Sequence, residues 1–332
     1  MKLADGKIRS RDLQRRLLDA ISMQTGLVLT TDTDVTPTVE TSTTNKLILR
    51  DCLSNDLFFL KQRPLYLSSQ AKEFTVDVVY WSTVICRKQY FPEIVGTLAN
   101  GKHIFLDGED YVLMVHKNGV HPCVRNASLS LVGRSLASLH AELQHYPDVD
   151  RGESIFGALG KFLCFARTHI SGLDEIFTKL DNAIHELTSW DIANKQVVHG
   201  DIAPSNLIIS YDSLVTFLDF DNMGVGSRYY DIASACLTFC HFRYVKNRSD
   251  LYHEQSVTLD TNRIEEFLRG YFHNPNVNAF DFEIFSKYFM VCWLEHLVLG
   301  ALRGDFPVAT SLELFKSMEK TSGALACLGR VD

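Results

Sequence analysis

Val197-Val198-His199-Gly200-Asp201-Ile202-Ala203-Pro204-Ser205-Asn206-Leu207-Ile208-Ile209 is followed, after the turn Tyr211-Asp212-Ser213, by Val215-Thr216-Phe217-Leu218-Asp219-Phe220-Asp221. Short apolar runs bounded by polar turn residues read as strands, so residues 197–220 form a β-rich island built around a hairpin. The strands leave three polar side chains, Asp201, Asn206 and Asp219, at one rim. Phosphoryl transfer needs such a set. One carboxylate must hold an acceptor hydroxyl and take its proton, and a carboxylate with an amide oxygen must hold Mg2+ against a triphosphate. Taken singly, Asp201 could cap a turn and Asn206 could bridge backbone. Their joint occurrence in this order points to chemistry.

Outward from the island the pattern is mostly helical. Residues 128–143, 157–169, 172–190, 263–272, 282–302 and 310–327 repeat apolar side chains at helical spacing. The first third differs. Residues 9–24 read as a helix, with Leu13, Leu17, Leu18 and Ile21 on one face and Gly26 beyond its end. Residues 46–52 and 57–62 read as strands of a hairpin turned by Ser54-Asn55-Asp56. Residues 68–86 read as a helix that Ser68 or Ser69 would cap, with Phe74, Val78, Trp81 and Ile85 along one face. Strands are expected at 93–97, 102–106 and 110–115, with turns at Asn100-Gly101 and Asp107-Gly108. Lys117-Asn118-Gly119 and Pro122 mark a break near residue 116. The expected division is therefore a small antiparallel-sheet lobe with one inserted helix, 1–115, and a mostly helical lobe, 116–332.

These features resemble the aminoglycoside phosphotransferase and choline kinase-like enzymes. His199-Gly200-Asp201 with Asn206 matches their catalytic loop, and Leu218-Asp219-Phe220-Asp221 followed by Asp231-Ile232-Ala233 matches their metal-binding segment. Phe58-Phe59-Leu60-Lys61 resembles the strand whose lysine holds the α- and β-phosphates, and Leu136-Ala137-Ser138-Leu139-His140 the helix that opens the larger lobe. The resemblance implies an α+β, two-lobed protein kinase-like fold with ATP between the lobes. It implies Asp201 as the catalytic base, Asn206 and Asp219 as Mg2+ ligands, His199 as a packed support for its loop, and Asp231 as an anchor of that loop. Asp221 is open between reaching the metal and capping the next turn. The backbone of Met114, Val115 and His116 would hold adenine edges.

Two places depart from the family pattern. An inward lysine on an apolar strand needs an anionic partner. The family supplies a helix glutamate for Lys61, and here Asp77 has the better position and Glu73 the better chemistry, with Asp77 favoured. The phosphate-covering loop, Glu40-Thr41-Ser42-Thr43-Thr44-Asn45, has no glycine, so backbone N–H groups and the hydroxyls of residues such as Thr43 and Thr44 are its candidate phosphate contacts.

Composition sets the outer limits. The 332 residues suggest about two domains or lobes. With 46% hydrophobic and 22% charged residues, the chain is an ordinary globular one rather than a disordered one. A net charge of -7 argues against holding a nucleic-acid backbone and is compatible with a cationic small hydroxyl-bearing substrate. Glu254, Asp260, Glu265, Glu266, Asp281, Glu283 and Glu295 are acids that could meet an amine, or simply face water. No membrane partner is expected, since residues 288–294 are the longest uncharged piece of the most apolar stretch. The eight cysteines are scattered, with Cys236, Cys240 and His241 the one cluster, and read as buried thiols in a reducing cytoplasm. The acceptor remains open among an aminoglycoside, homoserine, choline and other amino alcohols. A protein Ser/Thr kinase is disfavoured because Gly200 replaces the usual arginine and only twelve residues separate Asp219 from Asp231. A non-catalytic nucleotide-binding scaffold is the remaining alternative.

Overall fold

The computed structural model describes residues 11–31, 46–99, 101–122, 128–240, 260–273, 280–305 and 307–316. The expected loop with Thr43 and Thr44, the residue His241 and the end of the helix expected at 310–327 lie outside these residues.

The chain forms two compact units, Met1–Val120 with Ile208–Asp221, and His121–Leu207 with Asn222–Asp332. A single break near 116 was too simple a division, because the second half of the island joins the first unit. Hydrogen bonds account for this. Val120 and Ile209 exchange backbone bonds at 3.0 and 2.9 Å, and the Phe217 N–H donates to the Tyr90 carbonyl at 2.6 Å.

In the first unit, helix α1 (Arg11–Thr25) precedes β1 (Leu29–Thr31), β2 (Lys46–Asp51) and β3 (Leu57–Gln62). Helix α2 (Ser69–Tyr80) follows, capped by the Ser68 hydroxyl, which accepts from the Ala71 N–H at 3.1 Å. It widens into a π-helical turn over Trp81–Ile85. Strands β4 (Ile104–Leu106) and β5 (Glu109–Val115) complete a five-stranded antiparallel sheet of order β1-β2-β3-β5-β4. Alternation along the strands buries Leu49, Phe58, Leu60, Tyr111 and Leu113 against Leu17 and Ile21 of α1. The strand expected at 93–97 is reduced to a bridge between Ile94 and Met114.

In the second unit the long elements are helices α3 (Leu129–Leu143), α4 (Ile155–His169) and α5 (Asp174–Ala193). Strand β6 (Lys195–Val198) follows, then the hairpin β7 (Leu207–Ile209) and β8 (Val215–Phe217), which leads back into the first unit. Strand β9 (Gly224–Ser227) returns to pair antiparallel with β6. Helices α6 (Tyr229–Phe239), α7 (Thr261–Phe272) and α8 (Phe282–Arg303) close the unit. Two glycines let α3 and α7 meet at backbone distance. A Cβ on Gly133 would lie 2.2 Å from the Phe267 carbonyl oxygen, and one on Gly270 would lie 2.1 Å from that of Ser130. Among the described residues, α8 is the one helix long and apolar enough to cross a membrane. It packs on α5 and α6, and buries Phe285, Tyr288, Phe289, Trp293 and Leu297 in the core of the second unit.

Candidate active site

Asp231 organises the loop that carries Asp201. It sits in the first turn of α6 and is fully buried. Its two carboxylate oxygens accept from the backbone N–H groups of His199 at 2.7 Å and Gly200 at 2.8 Å. The His140 Nε2 lies 3.0 Å from the same carboxylate, and the His140 Nδ1 lies 2.7 Å from the Tyr271 hydroxyl. Burial pushes the Asp231 pKa up, but the hydrogen bond and charge of His140, the charge of His199 and the His199 N–H outweigh it, leaving the carboxyl below its ordinary range. Gly200 has φ +80, and a Cβ there would fall 2.1 Å from the Asn222 carbonyl oxygen. No other residue fits this turn without moving backbone. His199 is fully buried, and its Nδ1 accepts from the Asp201 N–H at 3.4 Å, a supporting contact.

The loop leaves Asp201 half-buried, with one carboxylate oxygen accepting from Asn222 Nδ2 at 3.3 Å. Asn206 ends a 3-10 turn just before β7. Its Nδ2 donates to the Asp201 carbonyl at 3.1 Å, which turns the amide oxygen away as an acceptor. That orientation suits a neutral oxygen ligand for Mg2+. Among the described residues no three His, Cys, Asp or Glu side chains group as a metal site.

The first unit gathers the charges. Asp219 follows β8 with φ +57, a left-handed conformation that costs a non-glycine residue about 1–2 kcal/mol. The Lys61 ammonium lies 2.5 Å from one of its oxygens, and that of Lys46 lies 3.5 Å from the other. Lys61, only 3% exposed, also ion-pairs with Asp221. Arg63 is fully buried and faces Asp221 at 2.9 Å, in an ion pair not aligned as a hydrogen bond. Its other terminal nitrogen donates to the Thr75 hydroxyl at 2.5 Å. Burial lowers the Lys46 pKa, and the neighbouring Lys61 charge lowers it further, against the opposing pull of Asp219.

This arrangement corrects the expected partner of Lys61. Lys61 and Arg63 are two apart on extended chain and share a face, so both reach Asp221. Asp77 instead pairs with Lys102, whose ammonium stands 4.7 Å above the Tyr80 ring. Glu73 is exposed. Asp221, open in the sequence between reaching the metal and capping the next turn, here holds two cations. At the adenine edge expected over Met114 and Val115, the Val115 N–H donates to the Glu93 carbonyl and the His116 N–H to that of Leu57, at 2.8 and 2.9 Å, so these two donors are engaged within the unit.

Lys46 and Arg63 escaped the sequence reading. The register of the β2–β3 hairpin was their signal, since it sets Lys46 directly opposite Lys61. In the second unit, Tyr230 is buried and donates its hydroxyl to Glu295 of α8 at 2.5 Å. Burial raises the Glu295 pKa to about 7, with the Tyr230 hydrogen bond opposing and the Asp201 charge adding. Among the described acids named in the sequence, the electrostatic link to Asp201 singles out Glu295.

Solved structures share this fold. The choline kinase LicA of Streptococcus pneumoniae aligns with a TM-score of 0.61 at 9% identity, covering 94% of this chain and 99% of that one. A microcompartment-associated aminopropanol kinase aligns with a TM-score of 0.59 at 16% identity, over 93% and 94% of the two chains. A spectinomycin phosphotransferase in complex with ADP and spectinomycin gives 0.54 at 13% identity, over 92% and 94%. At such identities the likeness is one of fold, an α+β kinase-like one. No curated protein matches the chain in sequence. Residues 89–271, more than half of the chain and including the loop anchored by Asp231, match one family as a sequence, and the chain accordingly belongs to the phosphotransferase enzyme family (APH).

Proposed function

We propose that this enzyme moves the γ-phosphoryl group of ATP to a hydroxyl of a small, amine-bearing molecule. The observation that carries the reading is the Asp231 anchor. One buried carboxylate grips the two backbone N–H groups before Asp201, and Asn206 grips the Asp201 carbonyl after it. A loop pinned from both sides holds Asp201 ready to orient an acceptor hydroxyl and take its proton. Lys61 would hold the α- and β-phosphates, and Asp219 and Asn206 would hold Mg2+, which when bound neutralises charge on the phosphates. Because the transition state is loose, positioning and charge neutralisation supply most of the rate, and proton removal less.

Glu295 supports an amine on the acceptor. A carboxylate whose proton affinity is raised beside Asp201 is a poor resident for a solvated surface and a good partner for an ammonium group. Choline, aminopropanol and spectinomycin, named for the similar structures, all pair a hydroxyl with a nitrogen. The test is a screen of amino alcohols and aminoglycosides with Mg2+ and ATP, following ADP release and the phosphorylated product. Acceptor-dependent ADP release confined to amine-bearing alcohols is expected. Turnover with neutral alcohols alone would contradict the assigned acceptor class.

A further inference from the structure

We propose that Lys46 is a second phosphate-binding cation, acting beside Lys61 on the polyphosphate of the nucleotide; this rests on the ATP-dependent reading above. Like charges directly opposite on paired strands destabilise a sheet, yet Lys46 and Lys61 occupy that relation on β2 and β3. Both ammonium groups are turned to one carboxylate, Asp219, at 3.5 and 2.5 Å.

Neutralising the local acids does not require Lys46. Lys61 and Arg63 already match the charges of Asp219 and Asp221, with Lys61 touching both carboxylates and Arg63 pairing with Asp221. Among the described residues, Lys46 brings the cluster to three cations for two anions. Its side chain is 18% exposed, so the excess charge is neither buried deeply nor free in solvent. Asp219 is also the residue assigned to a divalent cation. A cation at Asp219 competes with both ammonium groups for its oxygens. Lys61 then still has Asp221, whereas among the described residues Asp219 is the carboxylate within ion-pair distance of Lys46. A triphosphate is the anion that matches two lysines and a divalent ion at once. Lys46 is the first residue of β2, directly after the glycine-free stretch 40–45 of the sequence.

The test is calorimetric binding of ATP, ADP and adenosine, each with Mg2+, to wild type, Lys46→Met, Lys46→Gln, Lys46→Arg and Lys61→Met. Removing a charge-assisted contact to phosphate is expected to weaken ATP and ADP about ten- to a hundred-fold in both neutral variants. Adenosine affinity is expected to stay within about twofold, since it has no phosphate, and Lys46→Arg is expected to recover most of the loss. Two neutral variants of different shape guard against one of them failing to fold. Unchanged ATP affinity in the neutral variants, while Lys61→Met loses it, would overturn the role of Lys46 alone. An equal loss of adenosine and ATP would also overturn it, because Lys46 would then act through the structure of the sheet. Failure of the wild type to bind ATP would instead remove the donor assignment on which the inference rests.

Discussion

Two carboxylates of the second unit, buried Asp231 and half-buried Glu295, have opposite electrostatic fates, and each makes a prediction. Asp231 is held below its ordinary pKa, so it contributes stability above the unfolded carboxylate range that is lost as pH falls through its folded value. Asp231→Asn leaves the His199 and Gly200 N–H groups facing an amide that can accept at one atom only. A loss of roughly 2–4 kcal/mol in urea unfolding at pH 7 is expected, shrinking in acid. Glu295 is raised to about 7, so its contribution runs the other way. It is fully favourable below the ordinary glutamate range and is lost as pH rises through about 7. Glu295→Gln is expected to gain on wild type between pH 5 and pH 8, by on the order of 1–2 kcal/mol at the upper end. A pH-independent difference between the two proteins would show that Glu295 is ionised throughout. In Asp201→Asn the Glu295 titration is expected to move down, because the Asp201 charge is one of its causes.

At the scale of elements, the contact of α3 with α7 is the tightest constraint. Alanine at Gly133 or Gly270 would drive a methyl into a backbone carbonyl of the other helix, and backbone cannot rotate away as a side chain can. Each substitution is expected to cost roughly 3 kcal/mol in thermal or urea unfolding. Gly160→Ala in α4 is the control, since nothing lies within 4 Å of the added Cβ, and helix propensity there favours alanine by roughly 1 kcal/mol. The same physics decides what could be read in the sequence. The β2–β3 hairpin, α2, α3, α5 and α8 announced themselves through turn residues, capping serines and apolar spacing. Helix α6 did not, because most of its residues are buried, Asp231 included, and a helix buried all round shows no polar face. Strand β9, Gly224–Ser227, has too few apolar side chains to read as a strand. Asp201 and Asn206 stand five residues apart in one loop, and Asp231, in α6, was read as the anchor of that loop from the resemblance. The partner of Lys61 was not legible. It depends on which face of β3 meets which acid in space, and Asp221 lies 160 residues from Lys61 along the chain.

At the scale of the whole molecule, the chain joins a unit rich in paired cations and carboxylates to one that pins a reactive loop, within a net charge of -7. Ligand binding to the folded state raises its stability by mass action. MgATP at a hundred times its Kd is expected to add about 2.7 kcal/mol, read as a rise in melting temperature. The rise is expected to depend on Mg2+ in the wild type, to depend on it less in Asn206→Ala, and to lose that dependence in Asp219→Ala, because Asp219 offers the charged ligand and Asn206 a neutral one. An equal Mg2+ effect in wild type and Asp219→Ala would remove Asp219 from the metal site. The most direct measurement pairs turnover with nucleotide affinity for Asp201→Asn, using an acceptor found in the screen. Turnover is expected to fall by about 10² to 10⁴ with ATP affinity nearly unchanged, because an amide still fits the loop but cannot take the acceptor proton. Retention of more than about half of the wild-type turnover would contradict the assignment of Asp201 and, with it, the catalytic reading of the whole loop.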